Sequence, residues 1–326
     1  MEVAVVVPAH NAVGYLERCL KAIVSSMRKP DQLIVVDDGS TDSAVMQTVK
    51  KFDARYVRVS NGPCGPAFAR NLGVGQTNAD ILLFIDSDVV VDIDTIGRVE
   101  QEFIQNNAID ALFGSYDDDP AVKTIVSRYK NLLHHYVHQN GKSEASTFWA
   151  GCGAVRRRAY LAVGGFSESF ARPSIEDIDL GMRLVSAGYR IKLCPDIQVK
   201  HLKHWTLTGM IKTDIFSRAA PWTRLLSERS EGVANDLNTK MIHRVSALIM
   251  LLLLFFVFLM LAGYKTAHLV AILALIYLII DYRLWVFFFR KGGMALAVGS
   301  ALLHGLYYVY SSATYVVVRI KVILGR

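Results

Sequence analysis

The sequence predicts an α/β fold in which a mostly parallel sheet is flanked by helices and followed by C-terminal transmembrane helices. Two features predict it. In the first two thirds of the chain, short apolar runs rich in β-branched residues alternate with segments whose apolar residues recur at helical spacing. Beyond residue 244, long apolar stretches replace this alternation, and stretches of that length are typical of helices that cross a bilayer.

The N-terminal elements alternate in type along the chain. The predicted strands are 3–7, 33–36, 55–59, 80–86 and 109–115, and the predicted helices are 15–27, 41–51, a segment from 66, 93–106 and 121–139. Parallel strands in a β-α-β order end at one edge of the sheet, where ligands bind. A later strand over 197–200 completes a catalytic domain that we place at residues 1–204.

The C-terminal third changes character twice. Residues 205–243 combine tryptophans with basic residues, which is typical of amphipathic helices in the headgroup layer. A helix packed on the protein's own surface would show the same pattern. Residues 244–326 are predicted to be a transmembrane region with three spans, at about 245–262, 267–289 and 294–318.

The basic residues predict the orientation of the tail. Of the net charge of +7, residues 1–244 contribute +1 and residues 245–326 contribute +6, so the charge is no argument for nucleic-acid binding. Basic residues before the first span and between the second and third place the catalytic domain on the cytoplasmic side of the cytoplasmic membrane. The basic C-terminus would then lie outside if all three segments cross, so the number of spans stays open.

Acidic side chains end two predicted strands and open one helix. They are Asp37-Asp38 after strand 33–36, Asp86-Ser87-Asp88 at the end of strand 80–86, and Glu176-Asp177. Hard divalent cations such as Mg²⁺ and Mn²⁺ take oxygen ligands and share them with phosphate groups. Carboxylates at strand ends also occur as turn and cap residues. The three clusters together indicate a metal-dependent enzyme that acts on a phosphorylated substrate.

Five short motifs occur in one order between residues 3 and 205. They are Val5-Val-Val-Pro8-Ala-His-Asn11, Val35-Val-Asp-Asp-Gly-Ser-Thr-Asp42, Gly65-Pro-Ala-Phe-Ala-Arg70-Asn71, Asp86-Ser-Asp88 and Glu176-Asp177. Together they resemble family 2 glycosyltransferases of the GT-A fold, of the membrane-anchored bacterial type. The resemblance implies an inverting hexosyltransferase that uses a nucleotide-diphosphate sugar and Mn²⁺ or Mg²⁺.

The resemblance also implies a role for each residue. Pro8, Ala9, Asn11, Asp37, Asp38, Arg70, Asp86 and Ser87 would bind the nucleotide sugar; Asp86, Asp88 and His201 would hold the metal; Trp149, Gly151 and Gly153 would line the acceptor and sugar loop. Asp177, with Glu176 beside it, would take the proton of the acceptor hydroxyl. Several of these residues have a purely structural alternative. Acidic residues are favoured at any helix N-terminus, and His201 is as readily a structural histidine.

The preferred function is transfer of one sugar to a hydroxyl of a lipid or lipid-linked saccharide. A polysaccharide synthase would carry Gln-x-x-Arg-Trp, which is missing, and a polyprenyl-phosphate sugar synthase usually has Asp-Ala-Asp followed by Leu-Gln, where this chain has Val-Val. A membrane-tethered nucleotide-sugar binding protein is the non-enzyme alternative. A nucleotide-cofactor oxidoreductase is disfavoured, because no strand is followed by Gly-x-Gly-x-x-Gly. The motifs specify neither the sugar, the base, the acceptor nor the oligomeric state.

Overall fold

The computed structural model describes residues 1–228 and 241–324, which form two compact units. Unit 1 comprises Met1–Val122 and His138–Lys203, and unit 2 comprises Lys123–Val137 and the described residues from His204 onwards. Unit 1 ends where the predicted catalytic domain ends. That domain was predicted as continuous, however, whereas the structure groups the segment 123–137 with the C-terminal helices.

The elements up to residue 201 follow the predicted order. The strands are β1 (Val3–Ala9), β2 (Gln32–Asp37), β3 (Arg55–Arg58), β4 (Ile81–Ile85), β5 (Val89–Val91), β6 (Ala111–Tyr116), β7 (Glu144–Ala145), β8 (Cys152–Arg156) and β9 (Ile191–His201). The helices are α1 (Val13–Val24), α2 (Ala44–Lys50), α3 (Pro66–Val74), α4 (Thr95–Gln105), α5 (Ile125–Gln139), α6 (Arg157–Ala162) and α7 (Glu176–Ser186). The predicted elements are all present, with their ends shifted by a few residues.

The strands form one mixed sheet in the order β3-β2-β1-β4-β8-β6-β9-β5, with β7 paired to β9. Neighbours among β1 to β4 are parallel, and so are β6 and β9. In contrast, β8 is antiparallel to β4 and β6, and β5 and β7 are antiparallel to β9. The α/β prediction is confirmed, but the sheet is mostly parallel only in its N-terminal half. Strand β8 contains a glycine and small residues, which are weak strand signals.

Helices cover both faces of the sheet. Val5 of β1 belongs to a buried cluster with α1, whereas Ile34 of β2 belongs to a second cluster with α3. Helix α3 lies so close to the sheet that a Cβ on Gly73 would be 2.5 Å from the Val6 side chain. Burial on both sides explains why these strands read as unbroken apolar runs.

The antiparallel pairs bring distant segments to the carboxyl ends of the parallel strands. Ile85, the last residue of β4, pairs with Cys152 of β8, so the loop before β8 lies beside Asp86. Val89 of β5 pairs with His201 of β9, so His201 lies beside Asp88. The sheet topology therefore assembles the candidate site.

The described residues of unit 2 form helices joined by short non-helical connections. After α5 it contains α8 (Leu207–Lys212), a π-helical segment (Thr213–Ala219), α9 (Ala220–Glu228), α10 (Met241–Leu261), α11 (Ala267–Ile280) and α12 (Tyr282–Ile323). Tyr129 and Leu132 of α5 are buried in a cluster with Trp205, Leu284 and Phe288. Trp205 was predicted to lie in the headgroup layer, but it is buried in this cluster because α5 covers it. Residues 229–240 of the predicted amphipathic region lie outside the described residues.

Two of the described helices, α10 and α12, have the length and apolar composition that a bilayer crossing requires. The predicted span 267–289 is divided, because α11 ends at Ile280 and α12 begins at Tyr282. Helix α12 is itself interrupted at Gly292 and Gly293, and Gly293 has a φ of 71°. With 14 residues, α11 extends over only about 21 Å.

Candidate active site

Asp37 and Asp38 end β2, and the two carboxylates face different partners. Asp37 is fully buried; it accepts hydrogen bonds from the Ser40 amide (2.8 Å), the Tyr56 hydroxyl (2.6 Å) and Arg58 Nη1 (3.0 Å). Burial by itself would raise the pKa of Asp37, but the hydrogen bonds from Ser40 and Tyr56 hold this pKa below its usual value. Asp37 therefore fastens β2 to β3.

Asp38 shapes the loop that leads into α3. Its two carboxylate oxygens accept hydrogen bonds from the amides of Cys64 and Gly65, both at 2.8 Å, and its own amide donates to Ala9 O at 2.8 Å. Gly65 has a φ of 95°, and a Cβ there would be 2.7 Å from the backbone of Ala171. Only glycine suits this position. Asp38 thus joins the end of β1, where Pro8 precedes Ala9, to the loop before Arg70.

Asn11 has a left-handed backbone, with a φ of 51°. Its amide donates to Ser40 Oγ at 3.0 Å, and its side-chain oxygen accepts from the Thr41 amide at 3.0 Å. Non-glycine residues in this region cluster at ligand sites. The turn after β1 is therefore held against the turn after β2, at the edge where the predicted nucleotide-binding residues meet.

Arg70 links the second and third acidic clusters. Its guanidinium is 4% exposed; Nη2 donates to Asp86 Oδ1 at 2.7 Å and Nη1 donates to Glu176 Oε1 at 2.9 Å. Glu176 Oε2 also accepts from the Ser174 amide at 2.9 Å. The structure thus brings together three predicted site residues that are far apart in the sequence.

Asp177 opens helix α7 beside this chain of charges. Its Oδ2 accepts a hydrogen bond from the Ala150 amide at 3.2 Å, and its Oδ1 accepts one from the Ile178 amide at 2.8 Å. Desolvation and the neighbouring Glu176 carboxylate raise the pKa of Asp177 to about 7. A carboxyl group with this pKa changes between its acidic and basic forms near neutral pH.

Asp88 and His201 form a second pair. His201 Nε2 lies 3.3 Å from Asp88 Oδ2, and the His201 ring is stacked on Tyr116 with their centroids 4.4 Å apart. Burial would raise the pKa of Asp88, but the hydrogen bond with His201 and the nearby positive charges keep it below its usual value. A carboxylate beside an imidazole suits a divalent ion that accepts both oxygen and nitrogen ligands, such as Mn²⁺.

The remaining predicted metal ligand, Asp86, is engaged by Arg70. Asp86 directs one carboxylate oxygen to Arg70, and across residues 1–228 and 241–324 no group of three or more His, Cys, Asp and Glu side chains is arranged as a metal site. Ser87 lies between the two aspartates and is half-buried. Asp88 and His201 thus fit a metal whose other ligands come from elsewhere, as phosphate oxygens or water do.

The Trp149–Gly153 loop is positioned by β8. The Asp86 amide donates to Gly151 O at 3.3 Å, and the Trp149 ring meets the Tyr116 ring edge to face at 4.9 Å. A Cβ on Gly151 would be 2.4 Å from the Trp149 ring, and a Cβ on Gly153 would be 2.2 Å from Trp149 O. Gly151 is therefore required by close packing against the indole, and Gly153 by close packing against the Trp149 backbone and the Phe148 ring.

The sequence motifs missed several residues that shape the site. Tyr116 contacts both His201 and Trp149, and Tyr56 binds Asp37, yet neither lies in a motif. A signal existed for Tyr116, since it ends a strand at the same edge of the sheet. Asn71 directly follows Arg70 in a motif, but the sequence indicated no role for it.

The sheet and its carboxylate-rich edge belong to a glycosyltransferase, as matches to two family models show. Residues 4–164 match the family model described as glycosyl transferase family 2, and residues 130–205 match one described as the N-terminal domain of galactosyltransferase. The chain belongs to glycosyl transferase family 2, which confirms the resemblance seen in its motifs.

Individual relatives differ in what they act on. The chain is 23% identical to the O-antigen chain rhamnosyltransferase RfbN of Salmonella typhimurium, over 68% of this chain and 74% of that protein. It is 29% identical to the pre-mycofactocin glycosyltransferase of Mycobacterium tuberculosis, over 68% of this chain and 47% of that protein. The chain thus spans about half the length of the second relative, and 17% of glycosyltransferase GlyA of Streptococcus pneumoniae.

A solved structure has the same fold. The mannosyltransferase PcManGT from Pyrobaculum calidifontis, in complex with GDP-Man and Mn²⁺, aligns with a TM-score of 0.62 over 92% of this chain and 86% of that one. At 20% identity this likeness concerns the fold. It agrees with the predicted GT-A architecture.

Proposed function

We propose that this family 2 glycosyltransferase is an inverting, divalent-metal-dependent enzyme of the cytoplasmic membrane. It transfers one sugar from a nucleotide-diphosphate sugar to a hydroxyl of a lipid or lipid-linked saccharide. The observation that carries the proposal is Asp177, a carboxyl group with a pKa of about 7 that adjoins the Asp86–Arg70–Glu176 chain.

Asp177 acts as the base in a single displacement. The acceptor oxygen attacks the anomeric carbon, the bond from that carbon to the phosphate oxygen breaks, and the hydroxyl proton passes to Asp177. The nucleoside diphosphate leaves on the opposite side, so the configuration is inverted. Arg70 holds the Glu176 carboxylate in place beside Asp177, and this carboxylate contributes to the raised pKa that makes Asp177 a stronger base.

The donor site lies at the carboxyl ends of β1, β2 and β4. Asp38 fixes the loop through Gly65, and Asn11 fixes the turn after β1, so the backbone of Pro8 and Ala9 can border the base. Asp88 and His201 would hold a divalent ion, which supplies positive charge to the departing diphosphate. The solved relative binds Mn²⁺ with its nucleotide sugar, which supports this assignment. Imidazole ligation favours Mn²⁺ over Mg²⁺.

A membrane location supports a lipid-linked acceptor. Helix α10 has 21 residues, about 32 Å, which is enough for a hydrocarbon core of about 30 Å. Arg244, close to the start of α10 on the side of the catalytic unit, supports a cytoplasmic position of that unit, and α12 supplies a second candidate span. An acceptor that is confined to the bilayer then needs no soluble carrier.

Turnover of defined substrates tests the proposal. The full chain in lipid nanodiscs is incubated with Mn²⁺, a panel of UDP-, GDP- and dTDP-linked sugars, and either a polyprenyl-diphosphate-linked sugar or the same sugar in soluble form. We expect one donor to release its nucleoside diphosphate faster with the lipid-linked acceptor, and Asp177→Asn to abolish this release. Equal rates with the soluble acceptor would contradict the lipid assignment, and a glycoside of retained configuration would contradict the mechanism.

A further inference from the structure

Asn71 follows Arg70 on α3, and every hydrogen-bonding position of its side-chain amide is used. Asn71 Oδ1 accepts from the Phe166 amide at 3.0 Å and from the Tyr160 hydroxyl. Asn71 Nδ2 donates to Phe166 O and to Glu168 Oε1, both at 2.9 Å. An amide group offers two donors and one acceptor oxygen with two lone pairs. Asn71 therefore clamps both backbone polar groups of a single residue, Phe166.

The backbone before Phe166 is built for this clamp. Gly164 and Gly165 have φ values of 79° and 68°, a conformation that side chains disfavour. A Cβ on Gly165 would be 2.9 Å from Asn71 Oδ1 and 3.0 Å from the Tyr160 ring. The tight turn and the close approach together present the backbone of Phe166 to Asn71.

The Phe166 side chain in turn supports Arg70. The ring is 1% exposed; it packs edge to face on Phe84 at 5.1 Å and on Tyr160 at 5.7 Å. Arg70 Cζ lies 5.2 Å from the centroid of the Phe166 ring, within the range of a cation–π contact. A fixed ring thus limits the motion of the guanidinium that holds both Asp86 and Glu176.

The same turn is tied to α7, which carries Asp177. Arg183 of α7 donates from Nη1 to Val163 O at 2.6 Å and from Nε to Asp179 Oδ2 at 2.8 Å. The turn from Val163 to Glu168 is therefore bound by Asn71 on α3 and by Arg183 on α7. It thereby connects α3, which carries Arg70, with α7, which carries Asp177.

We propose that Asn71 is a positioning residue for sugar transfer, because it clamps Phe166 and thereby fixes Arg70 between Asp86 and Glu176. This inference rests on the proposed function for its effect on turnover. Asn71 itself binds neither substrate nor metal. A long arginine side chain has many rotamers, and a displacement of about 1 Å in a reacting constellation can cost about 100-fold in rate.

The test compares three single variants with wild type in nanodiscs. Asn71→Ala removes the whole clamp, Asn71→Asp keeps the acceptor oxygen and loses both donors, and Phe166→Leu removes the ring while keeping apolar volume. Asn78→Ala is the matched control, since Asn78 is exposed just beyond α3. The readouts are the kcat and KM of donor hydrolysis with Mn²⁺, thermal unfolding, and hydrogen exchange of the amides of residues 164–168.

We expect Asn71→Ala to lower kcat about 10- to 100-fold with a KM for the donor within a few fold of wild type. Asn71→Asp should fall between Asn71→Ala and wild type, and exchange at residues 164–168 should quicken in both. In a double-mutant cycle, Asn71→Ala with Phe166→Leu should lower kcat scarcely more than either alone, because both act through Arg70. Asn78→Ala should match wild type.

Two results would overturn the inference. One is an unchanged kcat in folded Asn71→Ala; the other is a fully additive double mutant. Hydrogen exchange distinguishes failure of the inference about Asn71 from failure of the proposed function. If wild type hydrolysed no donor while Asn71→Ala still lost protection at residues 164–168 and the unfolding temperature fell, the clamp would stand and the proposed function would fail.

Discussion

Arg70 and Glu176 are 106 positions apart in the sequence, yet Arg70 Nη1 donates to Glu176 Oε1 at 2.9 Å and both side chains are buried. A buried ion pair that loses one partner leaves a charge without compensation, which is costly. Because Arg70 also holds Asp86, this single side chain maintains the charge balance of the whole acidic cluster.

The first prediction concerns removal of Arg70. Arg70→Ala should destabilise the fold by about 3–5 kcal/mol, since Glu176 would stay buried without its cation. Arg70→Lys keeps the positive charge, so we expect it to be more stable than Arg70→Ala. An ammonium lacks the planar fork that reaches two carboxylates, so we still expect kcat to fall about 100-fold. Thermal unfolding and donor hydrolysis measure the two effects. Arg18→Ala on the exposed side of α1 is the control. Equal losses of stability and kcat in this variant would contradict a specific role for Arg70.

The second prediction is a pH dependence set by Asp177. The base must be ionised, and its pKa is raised to about 7, so the active fraction grows as pH rises through 7. We expect kcat/KM for transfer to fall about tenfold for each pH unit below this value. A rate profile between pH 5 and 9 measures it. A flat profile down to pH 5 would exclude Asp177 as the base.

The third prediction uses the same pKa to predict stability. The folded-state pKa of Asp177 lies above the unfolded value, so protonation favours the folded state, and this contribution is lost as pH rises through about 7. Asp177→Asn removes the ionisation. Its unfolding temperature should equal that of wild type only below about pH 4, where Asp177 is protonated in both states, and should exceed it by a growing margin up to pH 8. The opposite order at pH 8 would show that the carboxylate stabilises the fold.

The fourth prediction concerns metal removal. Nucleoside diphosphate with Mn²⁺ should raise the unfolding temperature of the wild type, and chelation by EDTA should abolish this increase. Asp88→Ala and His201→Ala should each weaken the Mn²⁺-dependent part, because these two side chains form the adjacent ligand pair. Asp94→Ala, at a half-buried position before α4 that pairs with Arg98, serves as the control. Full Mn²⁺-dependent stabilisation in Asp88→Ala would contradict the assignment.

The fifth prediction is that a fragment ending at residue 204 associates or aggregates. Tyr129 and Leu132 of α5 are 1% and 0% exposed, and they pack in unit 2 against residues that the fragment would lack. Exposed apolar faces of this kind promote association. Size-exclusion chromatography with light scattering measures the outcome. Replacing both residues with Gln should restore a monomer; a monomeric unmodified fragment would contradict the grouping of α5 with unit 2.

The sequence predicted those parts of the site that depend on local pattern. Asp86 and Asp88 end an apolar run that is buried on both faces, and such a run indicates both the strand and the edge at which it ends. Asp177 was assigned through its motif. What the sequence did not reveal depends on pairing between distant segments: nothing near Arg70 indicates that it would bind Glu176, and β8 carries no strand signal.

In unit 2, too, local features were predicted and contacts between distant segments were not. The apolar composition of α10 predicted a span, because the length of an apolar run is a local property. Helix α5 was also predicted as a helix, but the sequence did not indicate that the segment 123–137 is grouped with the C-terminal helices. An amphipathic pattern indicates that one face is covered and does not indicate by what. The partner of Tyr129, His304, is 175 positions away.

That separation matters while the chain is being synthesised. At about 5–20 residues per second, roughly 10 to 35 s pass between the appearance of Tyr129 and that of His304. Throughout this interval Leu132 and its neighbours on α5 lack the surface that will bury them. The pace of translation between these two positions therefore sets how long α5 stays uncovered, independently of how stable the native state is once formed.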